Sequence, residues 1–170
     1  MSIAFLMLLA AAGGEPEAGF GYDPLAEARE GRLQCYQPDL SRRTCKGLAG
    51  FSFEDDGRIV SRSEVLVEAP VTTVMRVTSQ VKVRGDAVCG PLADLERAEF
   101  LVQGRPATEG EVGLIRFFMS SVPRHGEVCT RWVRDGDGFI AHGMLDGEEL
   151  PEFEQRMVWV EPDDGFVVGP

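Results

Sequence analysis

The sequence lacks the short motifs that would assign it a chemistry. It has no C-x-x-C pair, no H-E-x-x-H, no G-x-S-x-G nucleophile turn and no glycine-rich phosphate loop. Only two histidines occur, His125 and His142, and they lie apart in sequence. Without paired cysteine spacing or a histidine pair, no metal site is expected, and no cofactor. No apolar run reaches the roughly 20 residues of a membrane-spanning helix, and neither an internal repeat nor a second domain boundary is visible. Positive charge is scarce: 17 Lys and Arg stand against 28 Asp and Glu, for a net charge of -11. Such a surface repels phosphates and anionic lipid, so nucleic acid is set aside as a partner.

What is present bounds the class. A chain of 170 residues with 44% hydrophobic content can bury one real core. Met1 to Ala12 is apolar and uncharged, and Ala10 and Ala12 offer an A-x-A cleavage site. The segment 1–12 reads as a signal peptide, 13–22 as a flexible leader and 23–170 as a single domain. The Lys or Arg that normally precedes such an apolar run is missing, and the competing reading is a buried N-terminal helix or strand. Four cysteines, Cys35, Cys45, Cys89 and Cys129, follow this apparent export signal. An even number in that context reads as two disulfides, with Cys35–Cys45 and Cys89–Cys129 favoured among three possible pairings.

Periodicity supplies the elements. Asp23-Pro24 opens a short helix over 25–30 that Gly31 stops. Strands are predicted over 48–54 and 59–68, joined at Asp55-Asp56-Gly57. From Val71 to Arg84 odd positions are mainly apolar and even positions polar or basic, the mark of a strand with one wet face. A short helix within 91–99 and a strand over 100–103 follow. Thr108 and Glu111 form a capping box before the main helix over 109–121, whose apolar stripe is Val112, Ile115, Phe118, Met119 and Val122. Strands over 128–134 and 139–145 flank Asp135-Gly136-Asp137-Gly138, and a last strand spans 155–160. These elements predict an α+β fold: an antiparallel sheet of about six strands packed against one main helix.

Several features resemble sites and read better as structure. Ser79 and Lys82 match S-x-x-K, but on a strand they point to opposite faces. Asp135 to Gly138 resembles the start of a calcium loop, yet Phe139 and Ile140 fill positions that need an oxygen ligand and glycine. Trp132, Trp159 and His142 read as packing residues on strands. No catalytic residue is assigned. Two basic features stand against the acidic whole and are candidate partner-binding sites: Arg42, Arg43 and Lys46 on the cysteine loop, and Arg76, Lys82 and Arg84 on the wet strand face.

The run Gly31 to Asp39 with Arg43-Thr44-Cys45, the triplet Val88-Cys89-Gly90 and the ending Val158-Trp159-Val160 resemble small exported proteins of unknown function from alphaproteobacteria. The resemblance implies an oxidising compartment and disulfides and carries no activity. The leading expectation is a periplasmic or secreted, non-enzymatic binding or envelope-associated protein, meeting an unknown protein or anionic envelope partner with no transmembrane anchor in the mature chain. The alternatives are a proteinaceous inhibitor of a cell-envelope hydrolase, docking by charge complementarity, and a hydrolase using paired carboxylates.

Overall fold

The structure, a computed structural model, describes residues 23–170 other than 68, 122 and 124. The signal peptide expected at 1–12 and the leader at 13–22 lie outside the described residues. Eight strands carry the architecture: β1 (Leu33–Tyr36), β2 (Gly47–Phe53), β3 (Ile59–Val67), β4 (Thr73–Arg84), β5 (Ala87–Pro91), β6 (Glu127–Asp135), β7 (Gly138–Leu145) and β8 (Gln155–Val160). Each pairs antiparallel with the next along the chain, and β8 returns to pair with β1. The sheet closes as an up-and-down barrel.

Closure corrects the expected α+β fold. Of the described residues 51% are strand and 19% helix, with a closed eight-stranded barrel in place of an open six-stranded sheet under a helix. The physical reason is that alternation fixes which face of a strand is apolar. It does not fix whether a helix covers that face or the sheet curls round to cover itself. The strand that completes the circuit, β1, is four residues long and borders the cysteine loop, too short to show a period of its own.

The two ends of the barrel differ. At one end the strands are joined by tight turns, including the hairpin at Gly136, whose φ of 59° suits glycine. The helix α1 (Ala26–Arg29) seals this end. Leu25 and Ala28 are buried against Val81, Val88, Trp132, Ala141 and Met157. At the other end the connections are long. The loop 37–46 joins β1 to β2, residues 92–126 join β5 to β6, and residues 146–154 join β7 to β8.

The main helix, α2 (Glu109–Phe118), lies in the 92–126 connection and packs on one corner of the sheet. A short strand, Glu99–Val102, pairs with Thr73 to Arg76 at the start of β4. Ile115 packs with Phe100, Val102 and Met75, and Val112 and Met119 join the same cluster. The apolar stripe is narrower than predicted: Phe118 is 48% exposed, and Val122 lies outside the described residues. The capping box is present, with Glu111 N–H donating to Thr108 Oγ1 and Thr108 N–H donating to Glu111 Oε2.

Hydrogen bonds from Arg105, then from the Thr108 backbone and hydroxyl, hold the Glu111 carboxyl at about 2, below its usual 4.5. Because the folded value lies below the unfolded one, ionised Glu111 stabilises the fold at pH values above about 4.5. That contribution fades as pH falls towards 2. Glu111→Gln is therefore expected to lower the melting temperature at pH 7 and to leave the wild type with the steeper decline between pH 4.5 and 2. Calorimetric melts across that window check it. Parallel curves for the two proteins would contradict it.

Both disulfides pair as favoured by the sequence. Cys35–Cys45 closes the 37–46 loop, with a Cα–Cα distance of 5.4 Å. Its sulfurs sit in a buried cluster with Val160, flanked by Leu33, Leu48, Val158 and Phe166. The C-terminal strand Val167–Val168 pairs in parallel with Thr44–Cys45, so one bridge anchors both loop and tail. Cys89–Cys129 joins directly opposed residues of β5 and β6, rather than linking a turn to a strand.

Candidate functional site

The inner wall of the barrel can be read from its register. Tyr36 faces Gly47, Gly47 faces Val65, and Val65 faces Met75. One level deeper Gln34, Ala49, Ser63 and Val77 line up, and deeper again Phe51, Ser61 and Ser79. Residues directly opposed across a ladder share a face, and except for Gly47 all of these line a cavity of about 270 Å³. Gly47 lines a second space of about 560 Å³ nearer the long connections. The two spaces share Tyr36, Ser63, Val65, Leu92, Val128 and Thr130 as wall, so they form one interior and its mouth.

The interior is hollow because its inward residues are small. An eight-stranded barrel is just wide enough either to fill with side chains or to hold one small ligand. Here Gly47, Ala49, Ser61, Ser63, Gly90, Ala141 and Gly143 occupy wall positions where Leu or Phe would close the space. Gly143 has a further reason to be glycine. A Cβ there would come 2.8 Å from the Cβ of Phe153, and Phe153 belongs to the 146–154 connection that borders the mouth. Leu66, Leu92, Leu145 and Leu150 make the rest of that entrance mainly aliphatic.

A polar chain crosses the wall. Trp132 Nε1–H donates to Tyr36 Oη over 3.2 Å, and Tyr36 O–H donates to Gln34 Oε1 over 2.9 Å. Burial pushes the Tyr36 phenol well above its usual value, against an opposing pull from the Trp132 bond, so it is a neutral donor. Gln34 is 1% exposed, and its Nε2 has no hydrogen-bond partner. Nearby on the wall, Asp94 is buried, accepts from Ser79 Oγ, and pairs with the exposed Arg97. Asp94 and Lys46 are the only charged residues among the described lining of the interior and mouth.

The structure places the sequence candidates outside this interior, with one exception. Arg42 pairs with Asp39 at 2.8 Å, and Arg43 donates to the Asp164 carbonyl on the C-terminal segment. The Asp39 carboxylate also accepts from the Ser41 hydroxyl and from the Arg42 backbone N–H. The Ser41 bond, then those from Arg42, hold its carboxyl well below the usual carboxylate range. Arg76 pairs with Glu64 and Arg84 with Glu127, each at 2.7 Å. Those two and Lys82 lie on the outer wall of β4, away from the cysteine loop along the circuit. Lys46 is the exception: it borders the mouth. His142 points outward, 3.5 Å from Glu154, and His125 is exposed.

Sequence reasoning missed Gln34, Tyr36, Ser61, Ser63 and Asp94. The available signal was the run of small residues at alternate positions, Gly47, Ala49, Ser61 and Ser63, which is too slight to build a filled core. Trp132 is buried against α1, and it also lines the cavity. Among the described residues one group has metal-like spacing, Cys89, Glu127 and Cys129. Its two sulfurs are joined as a disulfide and offer no thiolate. Comparison of the chain with family models, curated proteins and solved structures gave no match.

Proposed function

We propose that this protein is a non-enzymatic binding protein that holds one small, largely apolar molecule inside its barrel, and that it works outside the cytoplasm. The observation that carries the first part is the small-residue wall, which leaves an aliphatic mouth leading to an interior with polar groups at Gln34 and Tyr36. Sites for small molecules have this character: concave, mainly apolar, with a few placed polar groups. The described wall holds one carboxylate, Asp94, where paired-acid hydrolysis uses two; that supports binding over catalysis. The second part rests on two disulfides, which persist in oxidising compartments. No described helix is long and apolar enough to cross a membrane.

The test is a titration with the neutral fluorescent probe N-phenylnaphthylamine. Wild type is expected to bind one probe per chain. Ser63→Trp places an indole in the passage between mouth and interior and is expected to weaken binding by about tenfold or more, as occluding a shaped apolar site does. Undiminished binding by a folded Ser63→Trp protein would overturn the proposal. The compartment is tested by intact mass of native material: loss of Met1 to Ala12 with all four cysteines oxidised is expected, and a full-length chain with free thiols would contradict it.

A further inference from the structure

Resting on that reading, we infer that the molecule held in the barrel is uncharged and carries a hydrogen-bond acceptor, a carbonyl or ether oxygen, that meets Gln34 Nε2. The polar chain is directional. Trp132 gives its only proton to Tyr36, and Tyr36 gives its only proton to Gln34 Oε1. Every member is spent except the Gln34 amide nitrogen, which is buried and has no partner, on a residue that lines the cavity. A buried N–H donor left unpaired is costly, and what it lacks is an acceptor.

The neighbouring wall argues that this acceptor is neutral. Among the described residues the deep cavity carries one ionisable acid, Asp94, and no cation. A carboxylate or sulfate placed at Gln34 would share the wall with that acid and lose its hydration without a counter-ion. A cationic head would meet the donor side of Gln34, while Asp94 is already engaged by Ser79 and Arg97. The apolar remainder of the molecule fits the wall made by Phe51, Met75, Val77 and Val81.

Three probes of matched size test the assignment by isothermal titration calorimetry: phenyl hexyl ketone, heptylbenzene, in which CH₂ replaces the carbonyl, and phenylheptanoate. Wild type is expected to bind the ketone about tenfold more tightly than heptylbenzene, the scale of one satisfied buried donor. Gln34→Leu is expected to bind the two equally. Tyr36→Phe frees Gln34 Oε1 to turn inward, and it is expected to shrink the preference severalfold while the far-ultraviolet circular dichroism and the cooperativity of melting stay native. It tests the inference even if the leucine variant fails to fold. Equal binding of ketone and heptylbenzene by wild type, with both still blocked in Ser63→Trp, would overturn this inference and leave the binding reading standing. Tightest binding of phenylheptanoate, lost in Lys46→Ala, would overturn it in favour of an acid held at the mouth. If no probe binds, the binding reading falls with it.

Discussion

Leu25→Ala is expected to lower the unfolding free energy by about 2–5 kcal/mol, the range for truncating a fully buried leucine to alanine. The upper half of that range is expected here because Leu25 is wholly buried and seals one end of the barrel. Its neighbours Val81, Val88, Trp132 and Met157 are held by the closed ladder, so they cannot collapse into the vacated space. Small domains have about 5–15 kcal/mol in total, and a loss of this size would shift the urea midpoint strongly at constant slope. Leu114→Ala is the control. Leu114 is 55% exposed on α2, and such a surface change is expected to fall within about 0.5 kcal/mol. Similar losses for the two variants would mean that α1 does not plug the barrel.

The disulfides give the second large effect, and the two are expected to fail differently. On the chain-entropy model a bridge spanning 10 residues, as in Cys35–Cys45, contributes about 3 kcal/mol. One spanning 40, as in Cys89–Cys129, contributes about 4 kcal/mol. Cys89→Ala with Cys129→Ala is expected to lower global stability by about that amount, because the bridge staples two adjacent barrel strands across a long connection. Cys35→Ala with Cys45→Ala is expected also to loosen a particular region. That bridge holds the 37–46 loop and, through Thr44–Cys45, the C-terminal strand. Limited proteolysis should then cut within 37–46 and 161–170 while the barrel stays resistant. Cleavage elsewhere first, or no new cleavage, would contradict this account of the loop.

The local elements were legible because each had a local physical cause. The capping box at Thr108 and Glu111 fixed the start of α2. Alternation from Thr73 to Arg84 put Met75, Val77, Ser79 and Val81 on one wall and Arg76, Lys82 and Arg84 on the other. The cysteine pairs followed from spacing and compartment. Closure was not legible, since it depends on β8 meeting β1, a contact between residues such as Leu33 and Val160 at opposite ends of the domain. The cavity was hidden for the same reason. Gln34, Ser63, Val77 and Trp132 come from four strands, and they read as unremarkable wall positions until the barrel brings them together. The basic residues drew notice against an acidic sequence, yet Arg42, Arg76 and Arg84 each have a carboxylate beside them.

The central claim is that the barrel interior is an occupiable site. It is tested most directly by following the two tryptophan indole N–H resonances by NMR during titration with phenyl hexyl ketone. Both indoles border the space beside α1 with Asp23, Pro24 and Glu27, but of the two only Trp132 also lines the cavity. Saturable movement of the Trp132 resonance at one equivalent, with Trp159 little changed, is the predicted result. A stationary Trp132, with shifts confined to outer-wall groups such as Leu33 and Leu48, would place binding outside the barrel and contradict the account.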